Sequence, residues 1–135
     1  MFKKLALLTC LLCSTATLPA FAEEPHFVNG AVCNKLEQVD ALHTANLATG
    51  NIDATLAAIN SKKVECAMLT TVRVAIFEPK LQHLGELNGA TIYFYQGEAR
   101  GIRTPDGRLM VFSAPATVYF VTNYPLNESD KVSAL

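Results

Sequence analysis

The first 22 residues carry the feature that most limits what this chain can fold into. Lys3-Lys4 precede an apolar run over residues 5–13, and Ala20-Phe21-Ala22 ends the segment. A basic start, an apolar stretch and a small-x-small end are the three parts of a cleaved export signal. We therefore predict cleavage after Ala22, so that a chain of 113 residues folds outside the cytoplasm.

A transmembrane anchor is the alternative interpretation of this segment. A spanning helix needs about 20 predominantly apolar residues, whereas Ser14, Thr15, Thr17 and Pro19 interrupt the run early. We therefore expect a bacterial protein that is periplasmic or secreted and has no stable membrane anchor after cleavage of the signal, residues 1–22.

The charge balance argues against a nucleic-acid partner. Cleavage removes two of the 11 Lys and Arg residues and none of the 12 Asp and Glu residues, which leaves a formal charge of −3. Nucleic-acid-binding domains usually concentrate positive charge on one face. The remaining length, residues 23–135, suits a single small domain.

Cys33 and Cys66 are the two cysteines that remain after cleavage. An even number in an oxidising compartment predicts one intramolecular disulfide. In the chain-entropy model, closing a loop of this length stabilises a fold by roughly 3 to 4 kcal/mol. The alternative is a catalytic redox pair, but the spacing lacks the Cys-x-x-Cys arrangement of reactive thiols.

Two helices are predicted near the start of the mature chain. Residues 23–30 have the composition of a polar lead-in, and residues 32–47 and 52–60 carry apolar side chains at helical spacing. Gly50 supplies a stop between them. We interpret the pair as a helical hairpin, after which Cys66 leads into the first strand.

The sequence after Cys66 has the residue types and periods of β-strands. Thr104-Pro105-Asp106-Gly107 carries turn residues at the positions that a hairpin needs. The predicted strands cover residues 68–77, 91–102, 108–113 and 116–122, with a loop over residues 79–89 and a frayed polar tail from Asn123. These elements predict an α+β domain in which an N-terminal helical hairpin packs on an antiparallel sheet of about four strands, with one disulfide.

The order of short motifs around the cysteines resembles a known group of proteins. Cys33, Leu36-Glu37-Gln38, Gly50, residues 54–60 and Cys66 follow one another before the first strand. This arrangement, over roughly the first third of the mature chain, resembles small secreted proteobacterial proteins of uncharacterised function. The resemblance implies a fold framework and a disulfide, and it implies no activity.

Three tyrosines are candidates for binding a partner. Tyr93 and Tyr95 share one side of their strand, and Tyr119 lies on a nearby strand. Exposed tyrosines are good recognition anchors because the ring is apolar and the hydroxyl is polar. The simpler interpretation is that these side chains pack in the core.

Three arginines form a second candidate site. Arg100, Arg103 and Arg108 flank the predicted hairpin turn, where they form a candidate cationic site for a carboxylate, a phosphate or an anionic surface. Because Glu98 and Asp106 lie among them, a solvated charged hairpin is the simpler interpretation.

The sequence shows no motif for catalysis, a metal or a cofactor. His26, His43 and His83 lack the spacing that converges on a metal, and there is no Gly-x-Ser-x-Gly elbow. The favoured function is a non-enzymatic binding or accessory module that engages an envelope or extracellular protein. A self-associating structural protein of the cell envelope, working as a homo-oligomer, is the alternative, and a small hydrolase or redox enzyme is less favoured.

Overall fold

The chain folds as a four-stranded antiparallel barrel with two helices packed on its outside. The computed structural model describes residues 23–131, so the predicted signal, residues 1–22, lies outside the described residues. The predicted α+β class, helical hairpin and antiparallel sheet of about four strands are confirmed. The elements are β1 (His26–Cys33), α1 (Leu36–Thr49), α2 (Asp53–Ile59), β2 (Cys66–Leu87), β3 (Ala90–Arg103), β4 (Leu109–Thr122) and a 3-10 turn (Glu128–Asp130).

The first strand occupies most of the predicted lead-in. β1 pairs antiparallel with the first half of β2, from His26↔Ile76 to Cys33↔Cys66. Gly30 has a φ of 94° and follows a register shift, where a bulge bends the strand. The prediction of a polar lead-in is wrong from His26 onward, because a strand broken by a bulge shows no clean alternation. The first helix accordingly begins at Leu36, later than predicted.

β2 and β3 form a long hairpin where a loop was predicted over residues 79–89. β2 runs through Pro79 to Leu87, and the turn residues Asn88 and Gly89 have φ values of 53° and 82°. Positive φ at both central residues is what a type I′ turn requires. Pro79 lies in an irregularity of the β2–β3 ladder, where strands tolerate proline.

β4 is one strand where two were predicted. It pairs with β3 along its length except at a bulge, where residues 112–115 face Arg100 alone. The barrel closes near the other end of β4, where Val32 and Cys33 of β1 pair with Phe120 and Tyr119.

Hydrophobic side chains form two layers, one inside the barrel and one between the barrel and the helices. Successive residues of a strand point to opposite faces, so β3 contributes to both layers. The buried residues of the inner layer are Val28, Val74, Ile76, Tyr93, Tyr95, Ala99, Val118 and Phe120. Those of the outer layer are Cys33, Val39, Leu42, Cys66, Ile92 and Phe94.

The predicted disulfide joins Cys33 and Cys66. The two residues lie opposite each other in the β1–β2 ladder with their Cα atoms 4.0 Å apart, and both are buried. The loop that the bridge closes contains both helices. The disulfide therefore ties the helical hairpin to the barrel.

The segment that follows β4 packs against the barrel. The Tyr95 hydroxyl accepts a hydrogen bond from the Leu126 N–H at 2.8 Å, and Asn127 Nδ2 donates to the Pro79 carbonyl at 2.9 Å. Leu126 also packs on the inner layer. These contacts fix the start of the tail that was predicted to fray from Asn123, since they satisfy its polar groups. Residues 132–135 lie outside the described part.

Neither helix within residues 23–131 combines the length and the apolar character that crossing a bilayer requires.

Candidate functional site

The three candidate tyrosines do not form one surface. Tyr93 and Tyr95 belong to the inner layer, with ring centroids 6.4 Å apart, and Tyr95 is 0% exposed. Tyr119 packs on the outer layer, and its hydroxyl accepts a hydrogen bond from Gln96 Nε2 at 3.0 Å. The hypothesis of an accessible patch at Tyr93 and Tyr95 is wrong, and the simpler interpretation that they pack in the core is confirmed. The barrel interior covers one face of β3, and the helices cover the other.

Tyr95 instead joins the barrel to the C-terminal segment. Its hydroxyl donates to Asp130 Oδ2 at 2.8 Å and accepts from the Leu126 N–H at the same distance. Burial raises the pKa of Tyr95 to about 12, and the neighbouring Asp130 carboxylate adds to the shift. The neutral phenol is therefore the form that the fold requires.

Arg100 is held by contacts within the chain. Its guanidinium bonds to Glu98 Oε1 and lies 4.1 Å over the centroid of the Phe77 ring. Glu23 Oε1 lies 3.7 Å from Nη1 of the same group. Arg100 is therefore paired with two carboxylates of the chain, whereas Arg108 is paired with one.

The predicted turn between β3 and β4 is well formed. The Gly107 N–H donates to the Thr104 carbonyl, and the Thr104 N–H donates to the Arg108 carbonyl, both at 2.9 Å. The Thr104 hydroxyl hydrogen-bonds Asp106 and, with the Arg108 N–H, holds the pKa of that carboxyl below its usual range. The turn therefore holds a charged carboxylate next to Arg108.

Positive charge gathers around this turn. The Arg103 guanidinium lies 3.9 Å over the centroid of the Phe27 ring, and Arg73 is opposite Arg103 in the β2–β3 ladder. Arg108 is exposed, and its Nε donates to Asp106 Oδ2 at 3.0 Å. Three arginines and one aspartate therefore lie at this end of the hairpin.

Large apolar side chains lie beside these arginines. Met110, Val111 and Phe112 are 54%, 52% and 38% exposed. Because successive side chains point to opposite faces, both faces of β4 are apolar here. No residue from 109 to 117 is charged, and among residues 23–131 no strand pairs with the outer edge of this stretch. We call Arg103, Arg108 and the three apolar residues the hairpin end.

The sequence reasoning missed the apolar part of the hairpin end. The signal was the run Leu109-Met110-Val111-Phe112, but a short continuous apolar run is more typical of a buried strand. This run is exposed because, among the described residues, β4 contributes buried side chains to the inner layer only from Val118 onward.

Two of the histidines pack around Phe94. The His83 ring stacks on it with centroids 4.1 Å apart, and the His43 ring meets it edge-on at 5.4 Å. His83 Nε2 lies 3.0 Å from Asp40 Oδ1, which ties β2 to α1. Within residues 23–131, His, Cys, Asp and Glu side chains nowhere gather in threes around a point that could hold a metal.

Comparison of the chain with protein-family models, with curated proteins and with solved structures found no match.

Proposed function

We propose that this protein is an exported, non-enzymatic binding module that docks on another protein through the hairpin end. The observation that carries the proposal is the exposure of Met110, Val111 and Phe112 in succession on an uncharged strand edge. Exposed neighbouring apolar side chains mark interaction surfaces, and a β-bulge such as that at residues 112–115 changes the direction in which side chains point.

Charge indicates the chemistry of the partner. Arg103 and Arg108 flank the apolar residues, whereas the mature chain as a whole carries a formal charge of −3. Local positive charge beside an apolar patch complements a partner surface that is apolar at its centre and acidic at its rim. The proposed partner is therefore an envelope or extracellular protein with acidic groups around an apolar depression.

The proposed location is the periplasm or the extracellular space. Disulfides persist in oxidising compartments and are rare in the cytosol, and the buried Cys33–Cys66 bridge is compatible with such a location. Residues 1–22 supply the composition of an export signal.

The test is in-cell cross-linking of the tagged, exported protein, followed by mass spectrometry of what co-purifies. A Val111→Ser, Phe112→Ser variant removes the apolar part of the hairpin end. The matched control is Leu47→Ser, Val64→Ser, which removes two exposed apolar side chains elsewhere. We expect one stoichiometric envelope partner with the wild type and the control, and its loss with the hairpin variant.

The dependence of partner binding on salt and on charge reversal gives a second test of docking through the hairpin end. Exposed charge pairs are screened by salt, so binding should weaken as ionic strength rises, and Arg103→Glu with Arg108→Glu should weaken it further. A partner that the Val111→Ser, Phe112→Ser variant retains in full would contradict the proposal, as would turnover of peptidoglycan, peptide or phosphoester substrates by purified protein.

Self-association is the second candidate function. Residues 91–95 and 118–121, which combine high β propensity with little charge, are paired within the barrel. The uncovered edge at residues 109–117 is the stretch that could pair between copies. Self-cross-links that disappear in the hairpin variant, with no other partner, would replace the proposed function by this one.

A further inference from the structure

An apolar cleft separates α1 from the outer face of the barrel. Its volume is about 400 Å³, within the range of roughly 300–1,000 Å³ that is usual for small-molecule sites. Val39, Leu42 and Ile92 form its buried floor, and Met68, 42% exposed, lies at its mouth. The helical hairpin thus covers the sheet incompletely and leaves a concave apolar space.

A second, smaller cavity of about 190 Å³ lies next to the cleft. Val121, Thr122 and Asn123 line both spaces. None of the described residues that line either space is Asp, Glu, Lys or Arg. Burying an ionised group without a charged partner is costly, so the interior favours a flexible hydrocarbon over an ionic ligand.

Polar groups at the edge of the cleft can hold one end of such a ligand. His43 is half-buried beside Phe94, and Asn46 and Asn123 also line the space. Within residues 23–131, no group hydrogen-bonds to the side-chain amides of Asn46 or Asn123. Each amide offers two donor hydrogens and an acceptor oxygen, so both can bind a hydroxyl or a carboxyl group.

We propose that this cleft binds a single acyl or alkyl chain, with the polar end of the molecule hydrogen-bonded by Asn46 or Asn123. The cleft shares no residue with the hairpin end. The site therefore goes beyond the proposed docking function, and each can fail without the other.

The test is a fluorescence titration of the purified mature protein, with its disulfide intact, using parinaric acid as a fluorescent acyl chain and decanol as an uncharged competitor. We expect saturable one-to-one binding that decanol displaces. In ¹H–¹⁵N spectra, the side-chain amide signal of Asn46 or of Asn123 should shift on addition of decanol, whereas the backbone amide signals of residues at the hairpin end should not.

Two pairs of variants locate the site. Met68→Asp puts a charge at the mouth and should weaken binding about tenfold or more, whereas Leu84→Asp, at another exposed apolar position of β2, should leave it unchanged. Ala31→Leu fills the cleft and should also weaken binding, while Ala41→Leu on the exposed side of α1 should not. Thermal unfolding checks that each variant folds.

Absence of saturable binding by the wild type would overturn the proposal. So would binding that Met68→Asp and Ala31→Leu both leave unchanged, since the chain would then lie elsewhere. Binding that all four variants reduce equally would point to non-specific adsorption and would overturn it as well.

Discussion

At the scale of single residues, the Tyr95 hydroxyl links the barrel interior to the C-terminal segment. It bonds to Asp130 and to the Leu126 N–H, both far along the chain from β3. A buried polar group that loses its partner costs about 1–3 kcal/mol. The hydroxyl therefore contributes to stability through the groups that it satisfies.

Tyr95→Phe should lower the free energy of unfolding by about 1–3 kcal/mol, because the Leu126 N–H and the Asp130 carboxylate lose a partner. Urea unfolding followed by circular dichroism measures this. Tyr124→Phe is the control, since Tyr124 is half exposed and a surface change should stay within about 0.5 kcal/mol. Equal stabilities of the Tyr95→Phe variant and the wild type would contradict the assigned role.

The raised pKa of Tyr95 predicts a loss of stability in alkali. Burial moves this pKa from 10.0 to about 12, so the unfolded state releases the phenol proton first. The resulting stabilisation is complete below pH 10 and is lost as the pH rises from 10 through about 12. The difference in unfolding free energy between wild type and Tyr95→Phe should shrink over this window, and a constant difference up to pH 12 would contradict the assignment.

Some single residues carried enough sequence information to be predicted, and others did not. Cys33 and Cys66 were paired correctly because only two cysteines remained. The sequence left open whether Tyr93 and Tyr95 pack in the core or face a partner, because alternation along a strand shows which side chains share a face and does not show whether that face is covered. Coverage depends on the helices and on barrel closure, which are set by long-range packing.

At the scale of elements, the disulfide attaches the helical hairpin to the barrel. Both helices lie in the loop between Cys33 and Cys66, and the outer layer includes the bridge itself. Gln38 of α1 adds to this attachment by donating to Glu65 Oε1 at 2.9 Å, and that bond lowers the pKa of the Glu65 carboxyl.

Cys33→Ala with Cys66→Ala should lower the free energy of unfolding by roughly 3 to 4 kcal/mol, since the open chain gains entropy when unfolded. Alanine is used instead of serine because serine would place two hydroxyl groups at these buried positions. Denaturant unfolding of the variant, of the oxidised wild type and of the reduced wild type measures the effect. The variant should match the reduced protein, and stability equal to that of the oxidised protein would show that the bridge is not structural.

Elements with local signals were predicted, and elements that depend on distant partners were not. Local residue types and their spacing predict the turn at Thr104-Pro105-Asp106-Gly107 and the helix near residues 53–59. The dipeptide Asn88-Gly89 was an equally strong hairpin signal. The strand before this turn was missed because it contains Pro79, which the structure accommodates at an irregularity of the ladder. β1 was missed because Asn29 and Gly30 interrupt its apolar residues, and its pairing with β2 brings together residues that are distant in the sequence.

At the scale of the whole molecule, closure of the sheet decides which surfaces remain for binding. An open sheet would have left one face of β3 accessible, as the sequence suggested. Closure buries that face and leaves the far part of the β3–β4 hairpin uncovered, with its arginines and its exposed apolar residues. The composition is compatible with either arrangement, so the location of the binding surface became visible only in three dimensions.

Site-specific photo-cross-linking in living cells tests the central claim most directly. A benzophenone amino acid replaces Val111 at the hairpin end in one strain and Val64, which is also exposed, in another. The docking proposal predicts a single adduct with a different protein from position 111 and none from position 64. The same adduct from both positions, or none from position 111, would contradict docking through the hairpin end.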